Sequence, residues 1–312
     1  MIQALNEEYW LPYAVKELAA AVDQVFIIEG AVLGRNDCDV DGHSTDNTIE
    51  IIDQLAKKYS NVKFVTRDER WKDLEDMKNF LINLVPPDNW VVINDADEMY
   101  KLSDLKFIRE HSEANPQVVE YLPLFLHFYR DFYHVLRPGG GADPVNITHQ
   151  RIILREEGDY YRYHPTIMNK WGRDKFFFPP LWPRRIFVKN MFIYHFGYIK
   201  GAENYLEKHR WYSENLVDFQ NMSQAKIDEI MNHPYVTGKD NPDDVLFYSG
   251  DYPEAAMNHP QSTYKDPSFE EPTYRDWKSV KEYDGAIVWP WHQLWRDSDG
   301  KSSDGNSYIQ PP

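Results

Sequence analysis

Residues 90 to 100 read Trp-Val-Val-Ile-Asn-Asp-Ala-Asp-Glu-Met-Tyr. The apolar run Trp90, Val91, Val92 and Ile93 predicts a short strand buried on both faces. It breaks abruptly into Asn94, Asp95, Asp97 and Glu98. Three carboxylates at the carboxyl end of a buried strand are costly unless something positive sits there. In open α/β sheets that same end is where ligands bind. Alternation along a strand would send Asp95 and Asp97 to one side, with Ala96 pointing away. Two hard oxygen donors on one side suit Mg2+ or Mn2+, which would in turn hold phosphates. A bare Asp-x-Asp is more often a solvated acidic turn, so the weight of the reading rests on what precedes and follows it.

What precedes it alternates. Ile2 to Leu5 is strand-like and ends in Asn6-Glu7-Glu8. Val15, Leu18, Ala19 and Val22 recur at helical spacing and predict a helix over 11–22. Val25 to Ile28 is a second apolar strand, ending at Glu29-Gly30. Strand, helix and strand at this spacing imply a parallel, right-handed crossover. A polar loop spans 31–45, and a helix follows with Ile49, Ile52 and Leu55 inward, capped by Thr45 or Asp46. Val62 to Val65 is a third strand, and a helix over 73–84 stops at Pro86-Pro87. Within the loop, Asp37-Cys38-Asp39-Val40-Asp41-Gly42 resembles the start of an EF-hand, but its twelfth position is Thr48 and a strand precedes it. A mobile acidic loop is the plainer expectation.

The composition sets bounds. The chain has 312 residues, 42% of them hydrophobic and 15% aromatic, enough for a sizeable core. A formal net charge of −16 disfavours long-range attraction to nucleic acid or anionic membrane. The single cysteine, Cys38, excludes an intramolecular disulfide and a cysteine-based zinc cluster. No signal-peptide pattern and no membrane-length apolar run is found, so a soluble, cytoplasmic protein is expected.

The order of the polar motifs is specific. Asn6-Glu7-Glu8 follows the first strand, and a second strand ends in an acid. Asp41-Gly42-His43-Ser44-Thr45-Asp46-Asn47-Thr48 and Asn94-Asp95-Ala96-Asp97-Glu98 come after. Together they resemble the family 2 glycosyltransferases of the GT-A fold, whose pattern runs Asn-Glu-Glu, Asp-Gly-Ser-Thr-Asp-Asn-Thr, Asp-x-Asp-Glu. Three features depart from it: His43 is inserted between Gly42 and Ser44, Glu29 stands where the family has Asp, and the segment 31–40 is extra. The resemblance implies an α/β fold with a mixed central sheet flanked by helices. It also implies transfer of a sugar from a nucleotide-sugar donor to an acceptor hydroxyl, with a divalent metal, Mn2+ or Mg2+. On that basis Asp97, Asp95 and His195 are the expected metal ligands; His195 lies in a His-Phe-Gly-Tyr segment like one that closes the family's catalytic domain. Asn6, Glu7, Glu29, Lys78 and Asp95 are the expected donor-binding residues, with Glu29 accepting the N–H of uracil. Asp97 is also placed in the chemistry, and an inverting reaction needs a general base, for which Asp159 and His164 are candidates.

Beyond Tyr100 a helix is expected over 102–111, long strands over 118–133, and further strands at 150–155, 160–164 and 192–198, followed by a helix over 202–216. Arg137 to Pro144 carries three glycines and is expected to be a lid. The catalytic domain is taken as 1–216, with its nucleotide-sugar half at 1–100 and its acceptor half at 101–216. Residues 217–312 are expected to form an irregular, partly helical extension with a disordered tail. Lys170, Arg173, Lys175, Arg184, Arg185 and Lys189 stand among aromatics against one acid, Asp174. They suit an anionic acceptor, with modified DNA as one candidate beside a glycan, a lipid-linked sugar or a small molecule. A sugar- or nucleotide-binding module without catalysis is the reading from another class.

Overall fold

The computed structural model describes residues 1–136, 150–162, 167–168, 185–199, 245–264 and 308–309. Those residues fall into two compact units, the first built from 1–122, 150–186 and 253–256, the second from 123–149, 187–252 and 257–312. The expected lid at 137–144, His164, most of the basic segment 170–189 and the helix expected over 202–216 lie outside the described residues.

In the first unit, β1 (Ile2–Ala4), β2 (Val25–Glu29), β3 (Val62–Val65) and β5 (Asn94–Asp95) form a parallel sheet in the order β3-β2-β1-β5. Helices α1 (Leu11–Ala21), α2 (Thr48–Lys58) and α3 (Leu74–Asn83) connect its strands. The crossovers follow from the sequence period. In α1, Leu11, Ala14, Val15 and Leu18 are buried, and Asn61 Nδ2 donates to the carbonyls of Ala19 and Val22 at its end, both at 2.9 Å. Asp73 caps α3 by accepting the Asp76 N–H at 2.7 Å. At α2 it is Asp46 rather than Thr45 that accepts the Thr48 N–H, at 2.9 Å.

The strand expected to run through 90–93 divides its pairing between two sheets. β4 (Trp90–Val92) pairs antiparallel with β9 (Ile152–Leu154), which also pairs with Glu120 and Tyr121. Only beyond Ile93 does the chain join the parallel sheet, where Asp95 stands opposite Gln3. Ala96 and Asp97 then form a turn into β6 (Glu98–Met99), so side-chain alternation stops at Asp95. Helix α4 (Leu102–Ala114) follows. Strands β10 (Tyr160–Tyr161) and β11 (Ile167–Met168) form a separate antiparallel pair.

The second unit is a sheet in the order β13-β8-β7-β12-β14. Its strands are β13 (Val245–Phe247), β8 (His134–Leu136), β7 (Glu120–Tyr129, from Pro123 on), β12 (Arg185–Tyr198) and β14 (Tyr308–Ile309). Its core is aromatic. Phe196 stacks on Phe128 and on Phe132, each at 4.8 Å between ring centroids. Tyr194 and Tyr248 both donate to the carbonyl of Asp251, at 2.8 and 2.9 Å. A stretch expected to be an irregular extension therefore supplies a strand, Val245–Phe247, and part of a core.

Residues 253–256 return to the first unit. The short helix α5 (Glu254–Met257) has its Ala255 N–H held by the buried Glu17 carboxylate of α1 at 2.8 Å. Lys16 and Glu254 add an exposed ion pair at 2.8 Å. Glu17→Ala leaves a buried N–H without its acceptor and is expected to cost about 1–3 kcal/mol by urea unfolding. Lys16→Ala is expected to change stability little. Equal effects of the two substitutions would mean that the anchor is not the buried hydrogen bond.

Candidate active site

The carboxyl ends of the parallel strands bring the polar motifs to one edge. Ala4 of β1 stands opposite Glu29 of β2, and Gln3 opposite Asp95 of β5. Glu29 and Asp95 are thus nearly level on strands flanking β1, two strand spacings or about 10 Å apart.

At the β5 end the positive group is Arg151, which sequence reasoning missed. Its Nη2 donates to Asp95 Oδ2 at 2.8 Å and to Glu98 Oε1 at 2.6 Å. Arg151, Glu98 and Asp97 are buried, and about a third of the Asp95 side chain is exposed. Glu98 Oε2 accepts the Asp95 N–H at 3.1 Å, and Asn94 Nδ2 donates to the carbonyls of Asp95 and Glu98 at 2.7 and 2.9 Å. The turn that presents Asp97 is therefore held at both ends. Burial pushes the Glu98 carboxyl up to about 8, against the pull of Arg151 and with Asp95 and Asp97 adding to the rise. The signal for Arg151 lay in the motif itself: three acids there demanded a cation, but nothing in the spacing said which one.

The donor chemistry fits a divalent cation. Asp95 and Asp97 offer hard oxygen atoms, and they stand beside a third carboxylate, Glu98, with Arg151 as the cation that pairs with Asp95 and Glu98. Among the described residues no group of three His, Cys, Asp or Glu side chains stands in a metal-holding arrangement.

At the β2 end, Glu29 is wholly buried and every acceptor direction is used. Oε1 accepts the Ser44 N–H at 2.7 Å and the Ser44 hydroxyl at 2.8 Å. Oε2 meets His43 Nδ1 at 2.9 Å and the Thr66 hydroxyl at 3.4 Å. A uracil N–H could reach this carboxylate only by displacing one of them. Hydrogen bonding to Glu29 raises the His43 pKa above its usual 6.5, against the opposite pull of burial.

The motif residues also fasten one loop to the other. Asn6 sits in the left-handed region at φ 55°, which Asn tolerates. Its N–H donates to the Ser44 hydroxyl at 3.0 Å and its Oδ1 accepts the Thr45 N–H at 2.8 Å. Glu7 N–H donates to the Thr48 hydroxyl at 2.7 Å, Glu8 N–H to Asp46 at 3.1 Å, and Asn47 Nδ2 to Glu8 at 2.7 Å. The loop expected to be mobile is clamped: Arg70 donates to the carbonyls of Arg35 and Asp39 at 2.6 and 3.2 Å. Gly42, at φ 95°, lies so close that a Cβ would come within 2.6 Å of Arg70 Cγ. Asp37 pairs with Arg35, and Asp39 accepts the N–H groups of Asp41 and His43, so both acids serve the loop itself.

Lys78 is buried in α3 with its Nζ 5.4 Å from the Tyr161 ring centroid. Asp159 is buried and accepts the Glu156 N–H at 2.8 Å, closing a turn. His195 lies in the second unit, its Nδ1 2.9 Å from that of His127. The structure brings Asn6, Glu7 and Glu29 together, and Asp95 and Asp97 together.

Residues 38–180 match the family model described as glycosyl transferase family 2. No curated protein matches the chain. Among solved structures the chain is similar to S. aureus TarS 1-349 in complex with UDP-GlcNAc. That match has 16% identity, 42% of this chain and 33% of that chain covered, and a TM-score of 0.30. It is similar also to S. aureus TarS 1-349 alone, at 13% identity, with 75% and 70% covered and a TM-score of 0.38. The same protein in complex with UDP gives 12%, 74%, 68% and 0.39.

Replacing Arg151 with Met keeps bulk but leaves Glu98 and Asp95 without their cation. The expected loss is about 3 kcal/mol, at the lower end for a broken buried pair because Glu98 can take up a proton. The loss should grow as pH rises, since ionised Glu98 then has no partner. Urea unfolding across pH checks both; a pH-independent loss would mean that Arg151 acts by packing alone.

Proposed function

We propose that the chain, which matches the glycosyl transferase family 2 model over residues 38–180, moves a sugar from a nucleotide-sugar donor to an acceptor hydroxyl. The observation that carries this reading is the carboxylate turn Asp95–Glu98, fixed by Arg151 at the same sheet edge as Glu29 and the Asn6–Glu8 loop.

The two ends of that edge differ in chemistry. The Glu29 end presents neutral and singly charged hydrogen-bonding groups, which suit a base and ribose. The Asp95 end carries an excess of negative charge, which suits a diphosphate only with a cation between them. Held by Asp95 and Asp97, a divalent cation would supply neutralisation of the charge that develops on the departing nucleoside diphosphate. Arg151 keeps Asp95 turned toward that position, and Asn94 keeps the turn from opening. A uridine diphosphate sugar is the donor proposed, and a hydroxyl of a glycan, lipid-linked sugar or small molecule the acceptor.

The test is slow hydrolysis of donor without acceptor, followed as nucleoside diphosphate release over a panel of nucleotide sugars with Mn2+. Release from a uridine donor is expected, and it should stop in excess chelator. Asp97→Asn should lower it about 10²–10³-fold, as loss of one electrostatic stabiliser does, with the melting temperature unchanged. Undiminished release in that variant would remove Asp97 from the chemistry.

A further inference from the structure

His43 is the residue that interrupts the Gly-Ser step, and the structure gives it a position no periodicity would show. Its backbone is held from both sides: its N–H donates to Asp39 Oδ1 at 2.7 Å and its carbonyl accepts the Asp39 N–H at 2.9 Å. Its ring is turned by Glu29, whose Oε2 lies 2.9 Å from Nδ1. A carboxylate accepts only, so Nδ1 must carry the proton in this contact. The other ring nitrogen, Nε2, has no hydrogen-bond partner among the described residues, and 20% of the side chain is exposed, against 0% for Glu29. Glu29 meanwhile has all its acceptor directions filled by Ser44, His43 and Thr66. At the β2 end of the sheet edge, the partly exposed side chain is thus an imidazole whose tautomer is set by the buried Glu29.

We propose that His43 Nε2, oriented by Glu29, reads the pyrimidine edge of the nucleotide, and that Glu29 is a positioning residue that does not touch the base. This rests on the donor reading above and names the atom that selects within it. Neutral His43 presents a lone pair at Nε2, which matches the N3–H of uracil and opposes the N3 lone pair of cytosine. Protonated His43 presents an N–H there and favours cytosine N3 instead. Selection between the two pyrimidines is therefore tied to the proton on one ring. The charged and titratable groups that act on that ring are Glu29 behind it and Asp39 and Asp41 on its own loop, all favouring the imidazolium; Arg70 packs against the adjacent Gly42. The raised His43 pKa puts the change of preference above the usual 6.5 of imidazole.

Calorimetric titration of uridine and cytidine diphosphates with Mn2+, at about pH 6 and about pH 8.5, tests this on the intact chain. Wild type is expected to prefer uridine diphosphate at the higher pH by roughly tenfold, the worth of one hydrogen bond. That preference should shrink or reverse at the lower pH. His43→Ala should lose most of the preference at both. His43→Gln, which offers an amide with fixed donor and acceptor, should bind either nucleotide with a pH-independent ratio and keeps the test open if His43→Ala folds poorly. A wild-type preference for uridine that neither pH nor His43→Gln alters would overturn the assignment while leaving the donor reading standing. Binding of neither nucleotide by wild type would overturn both.

Discussion

The structure of the site depends on one buried guanidinium. Arg151 reaches from β9 to Asp95 and Glu98, and without it the end of β5 would collect three carboxylates with no counter-charge. Removing such a cation is far more damaging than the net worth of the pair suggests, because ionised carboxylates cannot stay buried alone. The geometry of the turn follows from that contact. Glu98 is drawn inward, its second oxygen holds the Asp95 N–H, and Asn94 ties the two sides together. Asp97, at the tip, is itself buried, and the turn that carries it fixes its place. Burial is the main reason that the Glu98 carboxyl is pushed up, with Asp95 and Asp97 adding to it against the pull of Arg151.

The same economy runs along the rest of the edge. Most motif residues touch each other before they could touch a ligand. Ser44 is shared between Glu29 and Asn6, Thr48 between Glu7 and the α2 terminus, and Asp46 between Glu8 and the Thr48 N–H. These bonds fasten the loop after β1 to the loop after β2, so the edge is a preorganised wall. A donor laid along it would lose little to ordering of the protein.

Much of this could be read from the chain. The three parallel strands and the helices between them followed from apolar runs and helical spacing, and Asp73 announced its own helix. The Asp-x-Asp was found because an apolar run ended in acids. What could not be read was long-range partnership. Arg151 stands over fifty positions from Asp95 at the foot of an ordinary-looking strand. The alternation argument placed Asp97 beside Asp95, yet the chain turns at Ala96 because Asn94 and Glu98 close it there. Glu29 reads in the sequence as a base-binding acid at a strand end, and only packing shows it enclosed by His43, Ser44 and Thr66. Val245 to Phe247 gave too short an apolar run to mark a strand, since its pairing with β8 is set by a partner more than a hundred residues earlier.

The central claim is that the carboxyl edge holds a nucleotide with its diphosphate at the Asp95–Glu98 turn. Crystals of the chain with uridine diphosphate and Mn2+, measured at the manganese absorption edge, test it most directly. The account predicts one anomalous peak at coordination distance, roughly 2.1 Å, from a carboxylate oxygen of Asp97 or Asp95. The diphosphate should lie on its far side and the base at the β2 end. A peak confined to the Asp37–Asp41 loop, or a nucleotide bound away from this edge, would contradict it.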